Sequence, residues 1–492
     1  MEQDYIKIIF GLKLKQIRTD KALSLFGLSK LSGLSKSYLN EIEKGKKYPK
    51  PDKIALLSEH LEVPYDEMVS LKLDKNLAPI GEILQSKILK EIPLDLFGIQ
   101  ESTMIDIISN APSKVTAFIS TIIEIAKNYN FSKESFYLAS LRSFQEANNN
   151  YFDHLEEAVI AFSKTYQVDL TQPLHSKELE EILIEEYGYT INKTELESHT
   201  ELENLRSVFV PKTKTLLLAK HIDDAQKTFI YAKEIAYNYL EMSDRLYTFS
   251  WIKFENFDQV LNNFYASYFA GALIIPRAQL VADLKSLFSK KSFKAKYFER
   301  IINNYNASPE SIYQRLTNIL PKDFNLKSLF FLRFSHQKNS LDFKLNKELH
   351  LSKQQSPHAN ETNEHYCRRW VSLKVLKDIS NSNNAHEFDI QVSHYPNEEK
   401  TYLVLSSATP DPFIADNYRS ISLGIQINNQ FKRKVAFAQS KSISSNEVGV
   451  TCERCAIQNC EVRQVKPTAI LSKLKDEKIA AVVNELQEKL SK

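Results

Sequence analysis

Hydrophobic residues in the first part of the chain recur at spacings of three and four, which is the pattern of short amphipathic helices. Leu14 and Ile17 share one face of a first helix, and Ile54, Leu57 and Leu61 share one face of a later one. Polar and turn-forming residues separate these hydrophobic runs from one another. The pattern predicts five short helices in the N-terminal segment of the chain.

The third of these helices carries the candidate chemistry of the segment. Ser35 can cap its N-terminus, Leu39 and Ile42 can face a core, and Gly33 allows a tight turn before it. Because two helices joined by a tight turn are typical of the helix-turn-helix motif, residues 1–75 are predicted to bind double-stranded operator DNA. The residues expected to meet base edges or phosphates are Ser35, Lys36, Ser37, Asn40, Lys44, Lys46 and Lys47.

The sequence of this domain resembles the Xre or repressor-type family. The resemblance is carried by Ile17-Arg18, Gly33-Leu34-Ser35 and Ile42-Glu43-Lys44-Gly45. It implies a domain of five helices in which Arg18 and Glu43 form a structural ion pair.

Composition describes an ordinary soluble protein with a basic N-terminal segment. A chain of 492 residues is too long for one core, and two to four domains are expected. The net charge is +3, and residues 1–75 carry 14 Lys and Arg against 11 Asp and Glu. The longest apolar run, Phe269 to Ile275, is far shorter than the roughly 20 residues needed to cross a bilayer. We therefore expect a cytoplasmic protein that does not bind membranes.

Helical spacing continues through residues 76–170, with Pro79, Pro93 and Pro112 as boundaries. Hydrophobic positions at Ile80–Ile88, Met104–Ile108, Val115–Ile125 and Phe131–Tyr166 define the expected helices. This region is predicted to be a helical linker bundle that holds the contacts of a homodimer.

Residues 171–335 alternate between helix and strand. The expected elements are a helix at Leu179–Tyr187 that leads into Tyr189–Ile191, two strands at Leu205–Val210 and Lys214–Leu218, and helices at Phe229–Leu240, Leu261–Ile275 and Ser308–Leu320. This succession, which ends in Phe269-Ala270 and Pro276, is similar to that of the ImmA/IrrE metallopeptidase family. In that family, a His-Glu-x-x-His helix binds zinc and supplies the general base.

The positions that match this motif are Lys233, Glu234 and Tyr237, so only the glutamate is kept. Residues 262–265, where the family's acidic ligand would fall, contain no acid. The region is therefore predicted to be a zincin-like pseudo-peptidase that binds an anionic ligand with an apolar part. An alternative is that the tyrosines are ordinary core aromatics and the lysine is solvated. The expected ligand-binding residues are Lys233, Tyr237, Tyr265, Tyr268 and Arg315.

Residues 336–465 are predicted to form a C-terminal α/β sensory domain, and residues 466–492 a helical tail rich in Lys and Glu. The expected strands of the sheet are Leu329–Ser335, Leu341–Leu345, Phe388–Val392, Thr401–Ser406 and Ile421–Ile427.

All four cysteines lie in this C-terminal domain, at Cys367, Cys452, Cys455 and Cys460. In a cytosolic protein, a C-x2-C-x4-C run with one remote cysteine favours a metal or a cluster over disulfides. Four thiolates can hold a [4Fe–4S] cluster or a structural zinc ion, and four unrelated buried cysteines are the remaining interpretation. We expect a distant helix to supply Cys367.

Taken together, the chain resembles the short-chain fatty acyl transcriptional regulators. Cys367-Arg368-Arg369-Trp370 and Cys452–Arg463 add to the resemblance of the earlier regions. It implies a non-enzymatic, mainly α protein with an α+β sensor region, which responds to an acyl-CoA-type molecule and controls fatty-acid or carboxylate metabolism. An iron–sulfur cluster is implied for some members. The alternatives are a zinc-dependent peptidase that cleaves a repressor, and an antitoxin or phage-type repressor.

Overall fold

A computed structural model describes residues 2–71, 133–249, 254–351, 364–396, 399–438, 440 and 442–490. The chain divides into two compact units, one of residues 1–140 with 255–257 and one of residues 141–254 with 258–492. The predicted helices at Ile80–Ile88, Met104–Ile108 and Val115–Ile125 lie outside the described residues.

Five short helices open the first unit, as predicted. They are α1 (Glu2–Asp20), α2 (Leu25–Ser32), α3 (Lys36–Glu43), α4 (Pro51–Leu61) and α5 (Tyr65–Val69). Gly33 ends α2 in the left-handed region at φ 68°, which a residue without a Cβ adopts at little cost. The turn between α2 and α3 is therefore tight.

The five helices close around one small hydrophobic core. Its buried members are Phe10, Leu14, Leu28, Leu34, Leu39, Ile42, Ile54, Leu57, Leu61 and Met68. A Cβ added at Gly11 would lie 2.2 Å from the carbonyl oxygen of Ile42. Glycine at this position thus lets α1 lie directly against the end of α3.

The helical pattern over residues 131–166 corresponds to two helices, α6 (Lys133–Ala147) and α7 (Asp153–Thr165). Asn149 and Asn150 separate them with φ angles of 50° and 51°. Asparagine tolerates this left-handed conformation better than most residues. The buried Asn150 amide also donates a hydrogen bond of 2.7 Å to the Thr317 hydroxyl, so this break is anchored inside the second unit.

The rest of the second unit is a mixed α/β structure. Its further helices are α8 (Ser176–Glu185), α9 (Asp224–Tyr239), α10 (Phe257–Ile274), α11 (Arg277–Phe288), α12 (Ala295–Asn303), α13 (Pro309–Asp323), α14 (Val371–Ser380), α15 (Asn429–Lys434) and α16 (Thr468–Leu490). Its strands are β1 (Thr190–Asn192), β2 (Ser207–Val210), β3 (Thr215–Leu218), β4 (Thr248–Phe249), β5 (Leu329–Gln337), β6 (Lys344–His350), β7 (Glu387–Tyr395), β8 (Lys400–Pro410), β9 (Asn417–Gln426) and β10 (Ser444–Glu447).

A small sheet precedes α9 and has the strand order β1-β3-β2-β4. The predicted pair of strands around Pro211 is the antiparallel pair β2 and β3, while β1 runs parallel to β3. Helix α8 packs against α9, the helix that carries Lys233, Glu234 and Tyr237.

A larger sheet has the strand order β10-β7-β8-β9-β5-β6. All neighbouring strands are antiparallel except β10, which runs parallel to β7. The strand expected at Leu341–Leu345 begins at Lys344 instead, because Asn339 with φ 65° and the turn after it occupy the preceding residues. The domain boundary expected at residue 335 falls within β5.

The two faces of this sheet are different. Phe330, Leu332 and Phe334 of β5 belong to a hydrophobic core that includes α14, which the sequence analysis did not predict. The alternate residues of β5, such as Arg333, point to the opposite face, where α13 contacts β5 and β9. The sheet thus has an apolar face toward α14 and a partly charged face toward α13.

Candidate functional site

The surface of α3 is the first candidate site. The Ser35 hydroxyl accepts a hydrogen bond of 3.2 Å from the Tyr38 amide, as the predicted cap requires. Leu39 and Ile42 are buried. The residues proposed to contact DNA on this helix and its cap, Ser35, Lys36, Ser37 and Asn40, are all exposed. The helix therefore presents a continuous polar face to solvent.

The ion pair implied by the Xre resemblance is present. Arg18 donates to both carboxylate oxygens of Glu43, at 2.6 and 3.0 Å, and to the Leu23 carbonyl at 2.7 Å. The hydrogen bond with Glu43 is the main cause of the raised pKa of Arg18. One guanidinium thus ties α1 to the end of α3 and to Leu23, two residues before α2 begins, which fixes the orientation of the polar face.

The lysines after α3 are placed to meet a polyanion. Lys46 and Lys47 are exposed and Lys44 is partly exposed. Lys47 lies 3.6 Å from Glu41 and its ammonium is 5.1 Å from the centre of the Tyr38 ring. Both contacts are exposed and weak, so the lysine can exchange them for a phosphate.

The second candidate site is the degenerate motif on α9. Lys233 donates a hydrogen bond of 2.6 Å to the side-chain oxygen of Asn263, and the Tyr237 hydroxyl donates to the same oxygen at 3.4 Å. In sequence, Lys233 and Tyr237 match the histidines of the ImmA/IrrE motif, and Asn263 lies in residues 262–265, where the family's acidic ligand was expected. Here they form a hydrogen-bonded group around an ammonium, and neither lysine nor tyrosine is an ordinary ligand of zinc.

Glu234, the retained acid of the motif, is held by Arg245. Nη2 of Arg245 lies 2.6 Å from each carboxylate oxygen of Glu234, and the Tyr189 hydroxyl donates to the same carboxylate at 3.0 Å. The guanidinium also stacks 4.1 Å from the centre of the Tyr237 ring. A carboxylate with these partners is structural and is not available to activate water.

Two of the five expected ligand-binding residues belong to a different buried network. Arg315, only 2% exposed, donates to both oxygens of Glu156, at 2.6 and 2.8 Å, and to the Ile275 carbonyl at 3.0 Å. The Tyr268 hydroxyl donates to Glu156 at 2.8 Å. Since this network joins α7, α10 and α13, we assign Arg315 and Tyr268 a structural role and remove them from the ligand set. Tyr265 is half-buried among aromatic rings.

The third candidate site is formed by the cysteines. Cys367, Cys452, Cys455 and Cys460 line one cavity together with Arg368, Arg369 and Arg463. Cys367 lies before α14, not within a helix as expected, in a segment where Tyr366 forms a β-bridge with Thr451. This bridge, and the hydrogen bond of 3.0 Å from the Cys367 amide to the Val450 carbonyl, bring the remote cysteine to the other three.

The walls of this cavity are closely fitted. A Cβ added at Gly449 would lie 2.7 Å from the Cys455 sulfur, and the Trp370 indole donates to the Gly449 carbonyl at 2.8 Å. Arg463 donates to the Cys452 carbonyl at 3.0 Å, and the Gln464 amide approaches the Cys452 sulfur at 3.5 Å. Burial, followed by the charges of neighbouring cysteines, raises the pKa of Cys367 to about 11.

In the described ranges, no group of three or more His, Cys, Asp or Glu side chains is arranged to hold one ion. A tetrahedral zinc needs its sulfurs at about 2.3 Å from one centre. The four cysteines around the common cavity supply the thiolates that either a [4Fe–4S] cluster or a structural zinc ion would need.

Several functional residues were missed because their partners are distant in sequence. Arg245 lies 11 residues beyond Glu234, outside the motif, and Glu156 lies 159 residues before Arg315. No periodic or short-motif signal identifies such pairs. A weak signal existed for α14, since Val371, Val375 and Ile379 recur at helical spacing after Trp370.

Comparison with known proteins supports the interpretation of the first unit. The family model described as "Helix-turn-helix" matches residues 14–68. This match and the α2-turn-α3 geometry confirm that the N-terminal domain is a helix-turn-helix domain of the Xre type.

Most of the chain is also similar to curated proteins. Two proteins named "HTH-type transcriptional regulator RamB", from Mycobacterium tuberculosis strains CDC 1551 / Oshkosh and ATCC 25618 / H37Rv, are each 21% identical over 489 residues. The alignment covers 93% of this chain and 94% of each relative. These relatives are named as regulators and not as enzymes, in agreement with the predicted class.

Among solved structures, a Mycobacterium tuberculosis transcriptional regulator aligns with 66% of this chain and 92% of that chain. The alignment has 15% identity and a TM-score of 0.45. Within the described part of the chain, none of the helices is long and apolar enough to span a membrane.

Proposed function

We propose that this chain is a sequence-specific DNA-binding transcriptional regulator whose second unit senses an acyl-CoA-type metabolite. The observation that carries the proposal is the exposed polar face of α3, fixed by Arg18 and Glu43 within a helix-turn-helix domain. A recognition helix in this motif enters the major groove and places its N-terminal residues against base edges.

Each side chain of the polar face has a distinct role in this proposal. Lys36, Ser37 and Asn40 contact base edges, where an asparagine amide can read adenine through two hydrogen bonds. Ser35 caps α3, while Lys44, Lys46 and Lys47 contact phosphates that position the domain but carry no sequence information.

The ligand side of the proposal rests on the second unit. Lys233, Tyr237 and Tyr265 remain the candidate contacts from the degenerate site, with one cation beside aromatic rings. This combination suits a molecule with an anionic part and an apolar acyl chain. The DNA-binding domains would exist in two arrangements, and the ligand would shift the equilibrium toward the arrangement that it binds more tightly.

The active species in this proposal is a homodimer, because two helix-turn-helix domains one helical turn apart on DNA bind a palindromic operator. The C-terminal helix α16 supports this assembly. None of its residues is buried, and except for the partly exposed Ile470 all of its described residues are exposed. Its exposed apolar side chains are Leu471, Leu474, Ile479, Val482, Val483, Leu486 and Leu490. A second copy of the chain is the occupant we propose for this surface.

The cysteine cavity would hold a [4Fe–4S] cluster, with structural zinc as the alternative. Cys367, Cys452, Cys455 and Cys460 would each supply one thiolate, and a bound cluster would add redox chemistry to the domain. The protein's own residues shape the site: Gly449 leaves space for the Cys455 sulfur, and Arg463 fixes the loop through its carbonyls.

The sensing proposal is tested with protein purified without oxygen. Small molecules that co-purify are identified by mass spectrometry, and DNA affinity is measured by fluorescence anisotropy with and without propionyl-CoA or acetyl-CoA. We expect a co-purified acyl-CoA, or a several-fold change in DNA affinity when one is added. The absence of both would contradict the acyl-CoA hypothesis and leave DNA binding standing.

A further inference from the structure

Cations line the face of the large sheet that is turned toward α13. Arg333 of β5 lies directly opposite Lys347 of β6. Arg419 of β9 lies opposite Ser335, two residues along β5 from Arg333. Because directly opposed residues and residues two apart share a face of a sheet, all three cations point to the same side.

A fourth cation and two carboxylates complete the group. Arg206 precedes β2, and its guanidinium lies 5.3 Å from the centre of the Phe413 ring. Glu310 of α13 accepts a hydrogen bond of 3.2 Å from Arg333, and Asp411 accepts one of 2.6 Å from Arg419. Within the described residues, Arg333, Lys347 and Arg419 alone face these two carboxylates, which leaves an excess of positive charge before Arg206 is counted.

The ionisation of Glu310 reports this excess. Burial acts to raise its pKa, but the charges of Arg333, Lys347, Arg206 and Arg419 outweigh burial and hold the pKa at about 2. Burial, followed by the repulsion of Arg419, lowers the pKa of Arg206 to about 10. One carboxylate therefore sits within the field of four cations.

Lys347 is the member of this group that lies directly opposite another cation, Arg333. No ion pair of its ammonium is present within the described residues, and like charges directly opposite on neighbouring strands are destabilising. The residue is exposed to solvent, yet burial of its ammonium lowers its pKa, with Glu310 opposing the shift and Arg333 adding to it. Its ammonium lies 5.8 Å from the centre of the Phe331 ring.

We infer that Arg206, Arg333, Lys347 and Arg419 form a binding site for the phosphate groups of the ligand. The planar fork of arginine matches the oxygens of a phosphate, and lysine adds a point charge. The identity of the ligand as an acyl-CoA rests on the proposed function, whereas the charge excess does not. The charge of Lys347 also acts on Lys233, so the two ammonium groups lie within electrostatic range of each other.

The test is calorimetric titration of the full-length protein with three probes. Coenzyme A carries the phosphates, pantetheine has the same thiol arm without phosphate, and inorganic pyrophosphate has only the charge. The variants are Lys347→Met, which keeps the length of the side chain, and Lys327→Met, an exposed lysine before β5 as the matched control. Because Lys347→Met removes a charged partner, its affinity for coenzyme A and for pyrophosphate should be about tenfold or more lower than that of the wild type. Its affinity for pantetheine should be unchanged.

Stability separates a binding role from a structural one. Without ligand, Lys347→Met should unfold at the same temperature as the wild type or higher, because repulsion from Arg333 is removed. A lower unfolding temperature with unchanged coenzyme A binding would overturn the inference.

The probes also distinguish failure of this site from failure of the proposed function. Binding of coenzyme A that does not depend on Lys347 would overturn the site and leave acyl-CoA sensing intact. Lys347-dependent binding of pyrophosphate, with no binding of coenzyme A, would support the site and contradict acyl-CoA as the ligand. If neither pyrophosphate nor coenzyme A binds, the site is overturned.

Discussion

Nη2 of Arg245 lies 2.6 Å from each carboxylate oxygen of Glu234, the residue that the sequence resemblance matched to the general base of the ImmA/IrrE motif. Both side chains are buried, and the Tyr189 hydroxyl donates a further hydrogen bond to the same carboxylate. A general base must be within reach of the proton that it removes. The geometry therefore argues against the peptidase alternative independently of the missing histidines.

Replacing Glu234 tests this structural role. Glu234→Gln would leave the buried guanidinium of Arg245 without its carboxylate, which typically costs about 3–5 kcal/mol in the free energy of unfolding. The measurement is urea unfolding of the purified protein. The exposed Glu185→Gln, on α8, should remain within about 0.5 kcal/mol of wild type. Peptide hydrolysis that depends on Glu234, in place of a loss of stability, would contradict the pseudo-enzyme interpretation.

The ionisation of Lys233 predicts how stability depends on pH. Burial, with help from Arg245 and Lys347, lowers its pKa from 10.5 to about 7. Between these two values the unfolded chain binds a proton that the folded chain does not bind, so the free energy of unfolding rises as pH increases from 7. Below pH 7 both states are protonated and this contribution no longer varies.

Urea unfolding of wild type and Lys233→Met from pH 7 to 9.5 measures this effect. The free energy of unfolding of wild type should rise more steeply, by up to about 1.4 kcal/mol per pH unit. Equal slopes in the two proteins would show that Lys233 keeps an ordinary pKa in the folded state.

Replacing one cysteine tests the proposed cluster. Protein purified without oxygen should contain about four irons and four sulfides per chain, and Cys455→Ser should lose them. Iron, sulfide and zinc are quantified in both proteins. One zinc without sulfide would identify a structural metal site, and the absence of all three elements would contradict both forms of the proposal.

A glycine provides an independent test of the same cavity. Gly449→Ala should also reduce the iron content, because the new Cβ would lie 2.7 Å from the Cys455 sulfur. Gly271→Ala is the matched control, since no atom lies within 4 Å of a Cβ added there. Full iron content in Gly449→Ala would show that this fit does not shape the site.

Phosphate contacts predict a salt effect that does not depend on DNA sequence. Lys47→Ala should weaken binding to any duplex and lower the slope of log affinity against log salt by about one. Lys53→Ala, on α4 of the same domain, is the control, with salt titrations followed by fluorescence anisotropy. Equal slopes in wild type and Lys47→Ala would place this lysine away from the phosphates.

Local features of the fold could be predicted from the sequence. Short-range sequence patterns predict the bounds of α3, the Ser35 cap and the Gly33 turn, because each of these features depends on residues only a few positions apart. The pair β2 and β3 was found for the same reason. By contrast, β10 (Ser444–Glu447) contains only exposed polar residues, so no hydrophobic pattern marks it as a strand.

The sites were harder to predict where they depend on tertiary pairing. Arg315 looks like a candidate cation for a ligand until Glu156, far away in sequence, is seen to hold it. The opposed charges of Arg333 and Lys347 follow from the register of β5 and β6, which a bulge between Arg333 and Phe334 shifts locally. Neither the composition nor the spacing of hydrophobic residues predicts that register.

The most direct test of the central claim is a selection of DNA sequences by the purified protein from a random duplex library, carried out in parallel with Asn40→Ala. We predict that wild type enriches one two-fold symmetric sequence, and that Asn40→Ala binds it about 1–3 kcal/mol less tightly, with little change on unselected DNA. No enriched sequence with the wild-type protein, or the same enrichment and affinity with Asn40→Ala, would contradict the assignment of α3 as the helix that reads DNA.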